Sequence, residues 1–341
     1  MTGPAQVAVL IATYNRATLL GETLDVLAAS VVPPGLMWEV VVVDNNSADA
    51  TRSTVLARQA QYRVPLRYVL ERRQGRSAAL NAAIAVTSAP YFLFTDDDVR
   101  VAPTWLAAGA TALAEGWDYI GGPVRPIWEA PPPGWLDLTR GDLWGTIAIL
   151  DYGPESFVFE ERRRVPLGAN MGARRSLVER IGGFRTELGR SNGTRVLGQE
   201  VPELLTRARA AGLRGRYVPE LAVDHHIPAS RLTKDYFRRW WTGKGYSKAL
   251  FEAMQPVTEM GLDLRQVPHV GSLPRFMIGD ALRDALALAK AAVRGDAVES
   301  FRRQMRLAYL IGFLQARGAW RRPAYGAVGP HASPAPNAAH A

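Results

Sequence analysis

Short runs of apolar, mostly β-branched residues alternate with amphipathic stretches over the first 122 residues. The apolar runs predict strands at Val7–Ala12, Val40–Val43, Leu66–Leu70, Tyr91–Thr95 and Tyr119–Gly122. The stretches between them predict helices at Thr18–Ala29, from Ser47 or Asp49 to about Ala60, at Ser77–Val86, and from Pro103 to Glu115. This alternation is typical of an α/β fold with a mostly parallel sheet and helices on both faces.

The second half of the chain is less regular. The segment from Pro123 to Gly134 contains five prolines and predicts a long loop. The remaining elements are expected at Ala169–Ala173 and Val218–Val223 as strands, and at Glu203–Ala211, Asp235–Leu250, Pro274–Val293 and Ala297–Arg317 as helices. We therefore expect an α/β domain over residues 1–230, a helical region over 231–325, and a disordered Pro/Ala-rich tail over 326–341.

Composition excludes several classes of protein. The chain has 341 residues and no cysteine, which rules out a disulfide scaffold, a thiolate metal site and a cysteine nucleophile. No apolar run approaches the roughly 18 residues that cross a bilayer, and the N-terminus does not resemble a secretory signal, so we expect a cytoplasmic protein. The net charge of +9 favours anionic ligands or an anionic surface.

Polar residues follow the predicted strands, and ligands of open parallel sheets bind beyond the carboxyl ends of strands. The first strand-to-helix turn, Thr13–Arg16, contains no glycine, which argues against a dinucleotide-binding enzyme. The Gly-x-x-x-x-Gly-Lys-Ser/Thr phosphate loop is also missing from the sequence. A bound diphosphate would therefore need another source of positive charge.

Two groups of acidic residues at strand ends can carry chemistry. In an extended segment Asp96 and Asp98 point the same way, so they can converge on a hard cation such as Mg²⁺ or Mn²⁺. The alternative is an acidic turn that caps the helix beginning near Pro103. Asp44 can accept hydrogen bonds from a base or a ribose, and the alternative is an Asx turn or helix cap.

Eight short motifs occur in one order and resemble those of the family 2 glycosyltransferases of bacterial type, which have the GT-A fold. They are Ile11–Arg16, Val42–Ser47, Gly75–Asn81, Phe94–Asp98, Gly168–Met171, Gly182–Phe184, Gly198–Glu200 and Pro219–His226. The resemblance covers about residues 5–230. It implies an inverting, metal-dependent transfer of a sugar from a UDP-, GDP- or dTDP-sugar to an acceptor hydroxyl, in polysaccharide, glycolipid or glycoconjugate biosynthesis.

The resemblance also assigns residues to the donor. The nucleotide-binding residues would be Thr13, Tyr14, Asn15, Arg16, Asp44, Arg76 and Asp96. Asp98 would hold Mn²⁺ or Mg²⁺, with His225 as a second contact and His226 as its competitor. Packing alone is the alternative for the histidines.

The catalytic base is expected near a helix start. The family has Glu-Asp where this chain has Gln199 and Glu200, so Glu200 would take the base role, and Glu203 is its rival. Asn170 would bind hydroxyls of the donor sugar, and Trp128 would stack on a saccharide. Their alternatives are a turn residue and a loop anchor.

The last predicted helix has an apolar face flanked by arginines, and this pattern bears on the kind of acceptor. Leu307, Leu310, Ile311 and Leu314 form an apolar face between clusters of arginines. The face either packs on the catalytic domain or lies on an anionic membrane as a peripheral contact at its inner face, which would suit a lipid-linked acceptor saccharide. Other functions are a sugar-nucleotidyltransferase or a catalytically silent nucleotide-sugar-binding relative. Nucleic-acid binding ranks last because the strands are apolar throughout.

Overall fold

The computed structural model describes residues 3–162, 164–189, 198–258, 262–271 and 273–319. The strands of the chain are β1 (Val7–Thr13), β2 (Trp38–Asp44), β3 (Leu66–Leu70), β4 (Tyr91–Asp96), β5 (Val99–Val101), β6 (Tyr119–Gly121), β7 (Val124–Trp128), β8 (Phe157–Val158), β9 (Asn170–Arg174), β10 (Gly215–Tyr217), β11 (Val223–Ile227), β12 (His269–Val270) and β13 (Leu273–Pro274). The helices are α1 (Ala17–Ala28), α2 (Thr51–Gln59), α3 (Arg76–Val86), α4 (Trp105–Ala114), α5 (Phe159–Arg162), α6 (Arg175–Ile181), α7 (Glu200–Ala210), α8 (Lys234–Met254), α9 (Arg275–Val293) and α10 (Ala297–Ala319).

A mixed sheet forms the centre of the α/β part. In the described residues it has eight strands in the order β3-β2-β1-β4-β9-β6-β10-β8, and β1, β2, β3 and β4 run parallel. The central strands are apolar on both faces, and Val40 to Val43 of β2 are fully buried. Helices cover both faces, as expected of buried parallel strands. The predicted α/β class is therefore confirmed.

A smaller sheet corrects one prediction. Residues 123–134 do not form one long loop, because Val124–Trp128 is strand β7 and pairs in parallel with β11. The described part of this sheet has the order β5-β11-β7, so β7 lies at its edge. Pro126 is tolerated there because an edge strand has a side on which no ladder hydrogen bond is needed.

The three long C-terminal helices pack beside this smaller sheet. Phe237 of α8 and Phe301 of α10 are buried in an apolar cluster with Leu143 and Ile147 from the segment that follows β7. Helices α8 and α10 approach very closely, since a Cβ on Gly312 would lie 1.8 Å from the carbonyl oxygen of Thr242. The helical region begins near its predicted start, but the division into domains at residue 230 stays a prediction.

The sequence also predicted a disordered C-terminal tail and no membrane-spanning segment. The tail predicted over residues 326–341 lies outside the described residues. Within the described ranges, no helix combines the length and the apolar character that crossing a bilayer requires.

Candidate active site

The carboxyl ends of three parallel strands meet at one edge of the central sheet. Thr13 at the end of β1 lies opposite Asp44 of β2, and Ala12 lies opposite Asp96 of β4. The sequence prediction that strand-end residues share one edge therefore agrees with the register of the sheet. Thr13 and Asp44 are buried, while Tyr14 is half-buried.

The first two strand-to-helix turns are tied together by side chains. Asn15 adopts a φ of 51°, its N–H donates to Ser47 Oγ at 2.9 Å, and its Oδ1 accepts from the N–H of Ala48 at 2.7 Å. Asp44 Oδ1 accepts from the N–H of Ser47 at 2.8 Å, which is the turn role considered for it from the sequence. These bonds fix the turns beside the end of β2.

Tyr68 is a neighbour of Asp44 that the sequence analysis missed. Its hydroxyl donates to Asp44 Oδ2 at 2.8 Å, and burial together with the charge of Asp44 raises the pKa of Tyr68 to about 12. In the sequence, this contact is indicated only by the position of Tyr68, which lies two residues before the end of β3. Asp44 is therefore held from two sides in an orientation set by the protein.

Asn45 orders the loop that leads to α3, and sequence reasoning also missed it. Its amide donates to the carbonyl oxygens of Glu71 and Arg73 at 3.0 and 2.8 Å, and its Oδ1 accepts from the N–H of Gly75 at 2.7 Å. Gly75 has a φ of 133°, a conformation that L-residues with a side chain rarely adopt. Helix α3 then begins directly with Arg76.

Arg76 joins the sheet edge to α7. Its Nη2 lies 2.9 Å from Asp96 Oδ1 and also 2.9 Å from the carbonyl oxygen of Gly168, and its Nη1 lies 3.0 Å from Glu200 Oε1. Burial opposes the charge of Asp96, but attraction by the Arg76 guanidinium holds the pKa of this carboxyl below its ordinary value. Arg76 therefore keeps two carboxylates together, a contact that its position after Gly75 did not predict.

Asp98 and His225 meet where β5 pairs with β11. Strand β5 pairs with β11 so that Val99 lies opposite His225, which brings His225 Nε2 to 3.5 Å from Asp98 Oδ1. Both residues are buried, and burial holds the pKa of His225 below its ordinary value despite the nearby Asp98. The lowered pKa favours the neutral imidazole, which has a lone pair that can bind a metal ion.

Arg16 supplies positive charge to the same acidic turn. Its Nη1 lies 3.0 Å from Asp97 Oδ1 and also contacts Asp98 Oδ2. Burial raises the pKa of Asp97 to about 7, while Arg16 acts in the opposite direction. His226 is anchored to the same turn through its backbone N–H, which donates to the carbonyl oxygen of Asp98 at 2.9 Å. Its Nδ1 is buried without a hydrogen-bond partner among the described residues, so its competing role stays a prediction.

The residues present fit a metal ion shared with a ligand. In the part of the chain that the structure describes, Asp98 Oδ1 is buried without a hydrogen-bond partner. No three His, Asp or Glu side chains of those described converge as a cage made by protein alone. One carboxylate oxygen and one neutral imidazole suit a Mg²⁺ or Mn²⁺ ion that takes its other ligands from phosphates and water.

Glu200 faces a large cavity. It is the first residue of α7, its Oε1 is paired with Arg76, and its buried Oε2 has no hydrogen-bond partner among the described residues. The cavity has a volume of about 930 Å³, and its wall also includes Asp96 and Arg76. A carboxylate oxygen at a helix start, free to accept a proton, is suited to general base catalysis.

The far wall of this cavity comes from the C-terminal helices. Trp240, Trp241, Lys244 and Lys248 of α8 line it, with residues of α9 and α10. Lys244 Nζ lies 5.0 Å from the ring centroid of Trp240 and 5.3 Å from that of Trp241. The i, i+4 spacing of the two lysines could have indicated this shared face from the sequence.

Glu203 occupies a different environment from Glu200. Its side chain is buried, with Oε1 2.9 Å from Arg185 Nε and Oε2 2.7 Å from Arg207 Nη2. Both oxygens are thus held by guanidinium groups. This arrangement favours Glu200 over Glu203 as the base.

We expect Glu203→Gln to lower the free energy of unfolding by about 3 kcal/mol, because it leaves two half-buried guanidinium groups without their carboxylate. Thermal melting should report a decrease of several degrees. Glu179→Gln, at an exposed position on α6, is the matched control and should change stability by less than about 0.5 kcal/mol. Equal melting of the two variants would contradict a structural role for Glu203.

Two other predicted ligand residues lie elsewhere. Asn170 is fully buried: its Oδ1 accepts from Trp105 Nε1 at 2.8 Å, and its amide donates to the carbonyl oxygens of Pro123 and Leu221 at 3.0 and 2.6 Å. Trp128 packs against the apolar cluster below the C-terminal helices. Neither residue lines the 930 Å³ cavity, so neither enters the site described here.

Comparison with known proteins gives a consistent result. The model of the family described as Glycosyl transferase family 2 matches residues 8–182, slightly more than half of the chain. Succinoglycan biosynthesis protein ExoM of Rhizobium meliloti is 27% identical over 71% of this chain and 74% of its own length. Glycosyltransferase AglE of Haloferax volcanii is 27% identical over 70% of this chain and 72% of its own length.

A solved structure resembles the fold. A mannosyltransferase from Pyrobaculum calidifontis, in complex with GDP-Man and Mn²⁺, superposes with a TM-score of 0.55 and 23% identity. The match covers 92% of this chain and 88% of that one.

Proposed function

Because this chain belongs to glycosyl transferase family 2 and is a glycosyltransferase of GT-A fold, we propose that it catalyses a metal-dependent, inverting transfer of a sugar from a nucleoside diphosphate to an acceptor hydroxyl. The observation that carries the proposal is Glu200 Oε2. This oxygen is buried and unpartnered among the described residues, and Glu200 lines a cavity that also reaches Asp96 and Arg76.

The reaction is a single displacement. The acceptor oxygen attacks the anomeric carbon of the donor sugar while Glu200 Oε2 accepts the hydroxyl proton, and the bond between the anomeric carbon and the diphosphate oxygen breaks. The nucleoside diphosphate leaves with the bonding electron pair. Arg76 holds Glu200 Oε1, which fixes the direction of Oε2.

Asp98 Oδ1 and His225 Nε2 would hold a divalent cation. When bound, the ion neutralises negative charge that develops on the leaving diphosphate. Arg16 is a second source of positive charge at the same turn. The absence of a glycine-rich phosphate loop from the sequence is consistent with this use of cations.

Thr13–Arg16 and Asp44 would bind the nucleoside, because they form the edge where β1 and β2 end. Asp96, whose Oδ1 is paired with Arg76, would accept a hydrogen bond from the ribose through its remaining oxygen. The Pyrobaculum structure with GDP-Man and Mn²⁺ supports a nucleotide-sugar donor as a class. The name of the Rhizobium relative, a succinoglycan biosynthesis protein, supports a saccharide acceptor.

A thermal-shift panel of UDP, GDP and dTDP, each with and without Mn²⁺, tests the donor site. We expect one diphosphate to raise the melting temperature only with Mn²⁺, since ligand at 100 times its Kd stabilises by about 2.7 kcal/mol. Nucleoside monophosphates are the control, because they lack the β-phosphate that the ion would contact. Equal stabilisation with and without Mn²⁺ would contradict the metal dependence.

A further inference from the structure

Helix α9 carries an exposed apolar stripe. Leu282, Leu286 and Val293 are 63%, 73% and 90% exposed. At 100° per residue these positions lie within an arc of about 40°, so the three side chains share one side of the helix. Aliphatic side chains exposed to this degree on one line indicate a surface that binds a partner.

The opposite side of α9 faces the protein. Asp284 and Ala291 are buried, and Asp284 pairs with Arg303 of α10 at 2.6 Å and with Arg306 at 3.1 Å. Ion pairs and a small apolar residue thus lie on the inner side, while the larger aliphatic side chains of the stripe face outward.

Positive charge borders the stripe. Arg283, Lys290 and Arg294 lie within about 80° to 120° of Leu282 around the helix, and all three are exposed. Arg283 is paired with Asp280 of the preceding turn, while the carboxylates of α9 lie on its inner side. An apolar stripe with a basic border is the pattern of a helix that lies in a lipid interface.

We propose that the outward side of α9 docks on an anionic lipid surface. Leu282, Leu286 and Val293 enter the boundary between headgroups and acyl chains, and the basic row contacts lipid phosphates. A second copy of the chain suits this surface less well. An antiparallel pairing of two stripes would place both basic rows on the same side.

Docking through α9 has a consequence for the proposed reaction. Phe276, Met277 and Asp284 of the same helix line the cavity that contains Glu200. A docked α9 would therefore bring one wall of that cavity close to the membrane, where an acceptor saccharide carried on a lipid would be held near the cavity. This consequence rests on the proposed function, whereas docking itself does not.

Co-flotation of the full chain with vesicles tests the proposal independently of catalysis. The vesicles contain equal parts of phosphatidylglycerol and phosphatidylcholine, or phosphatidylcholine alone. We expect binding to the anionic vesicles that weakens as salt rises. Leu282→Gln/Leu286→Gln/Val293→Gln should reduce the binding constant at least tenfold, and Lys290→Gln/Arg294→Gln should reduce it by up to about fivefold per residue.

Val31→Gln/Leu56→Gln is the matched control, because these exposed aliphatic residues lie on the α/β part, at 59% and 43% exposure. This variant should bind vesicles like the unchanged chain. The proposal is overturned if the unchanged chain does not float with anionic vesicles, or if the triple variant floats equally well. Sedimentation measures the oligomeric state of both chains. The proposal is also overturned if the unchanged chain is an oligomer, the triple variant is a monomer, and the two bind vesicles equally, because the stripe would then join two copies of the chain.

Discussion

Glu200→Gln is expected to reduce kcat about 10²- to 10⁴-fold while leaving donor binding unchanged. The amide has nearly the same shape and can still accept from Arg76, but it cannot take a proton from the acceptor hydroxyl. The measurement is transfer under saturating donor and acceptor, combined with the thermal shift given by the nucleoside diphosphate and Mn²⁺. Loss of turnover with an intact shift separates a chemical role from a folding role.

Glu252→Gln is the matched control for this experiment. Glu252 is a second buried glutamate on the wall of the same cavity, contributed by α8. We expect that variant to keep turnover within a few fold, since Glu252 belongs to α8, whereas Arg76 and Asp96 meet at the sheet edge. Full turnover by Glu200→Gln, or a loss confined to Glu252→Gln, would refute the assignment of the base.

Asp98→Asn is expected to abolish the effect of Mn²⁺ on nucleotide binding. The substitution removes the negative charge of the buried carboxylate whose Oδ1 lies 3.5 Å from His225 Nε2. Loss of a direct ligand should weaken Mn²⁺ binding by at least the 10- to 100-fold typical of changes around a metal site. Isothermal titration with Mn²⁺ in the presence of the diphosphate measures this directly.

Asp97→Asn controls for the loss of a partner to Arg16. Asp97 is equally buried and contacts the same guanidinium nitrogen, but its carboxylate is not the one paired with His225. We expect this variant to retain Mn²⁺-dependent binding. If Asp97→Asn and Asp98→Asn have the same effect, the turn acts through Arg16 rather than through a metal ion.

Much of the α/β part could be predicted from local pattern. An apolar run such as Val40–Val43 is stable only when both its faces are covered, so its sequence already requires a buried strand. The strand ends then place Thr13, Asp44 and Asp96 at one edge, because parallel strands end on the same side. The order of the short motifs also predicted the glycosyltransferase family, and the match of the family model over residues 8–182 confirms it.

The contacts that give the site its chemistry depend on pairing between distant segments. Asp98 and His225 meet because β5 pairs with β11 in one register, and a shift of one residue would turn the histidine to the other face. Arg76 reaches Glu200 across 124 positions of sequence. Neither distance follows from local spacing.

The sequence by itself determined which segments are strands and helices, and which polar residues follow the strands, because burial of apolar side chains imposes a local period. Only the tertiary structure decided what each side chain meets. It placed Asn170 in the interior, gave Glu203 two arginines, and left the outer side of α9 uncovered. A helix with apolar residues along one face is expected to bury that face. Whether it is buried against protein or against lipid depends on how the helices pack.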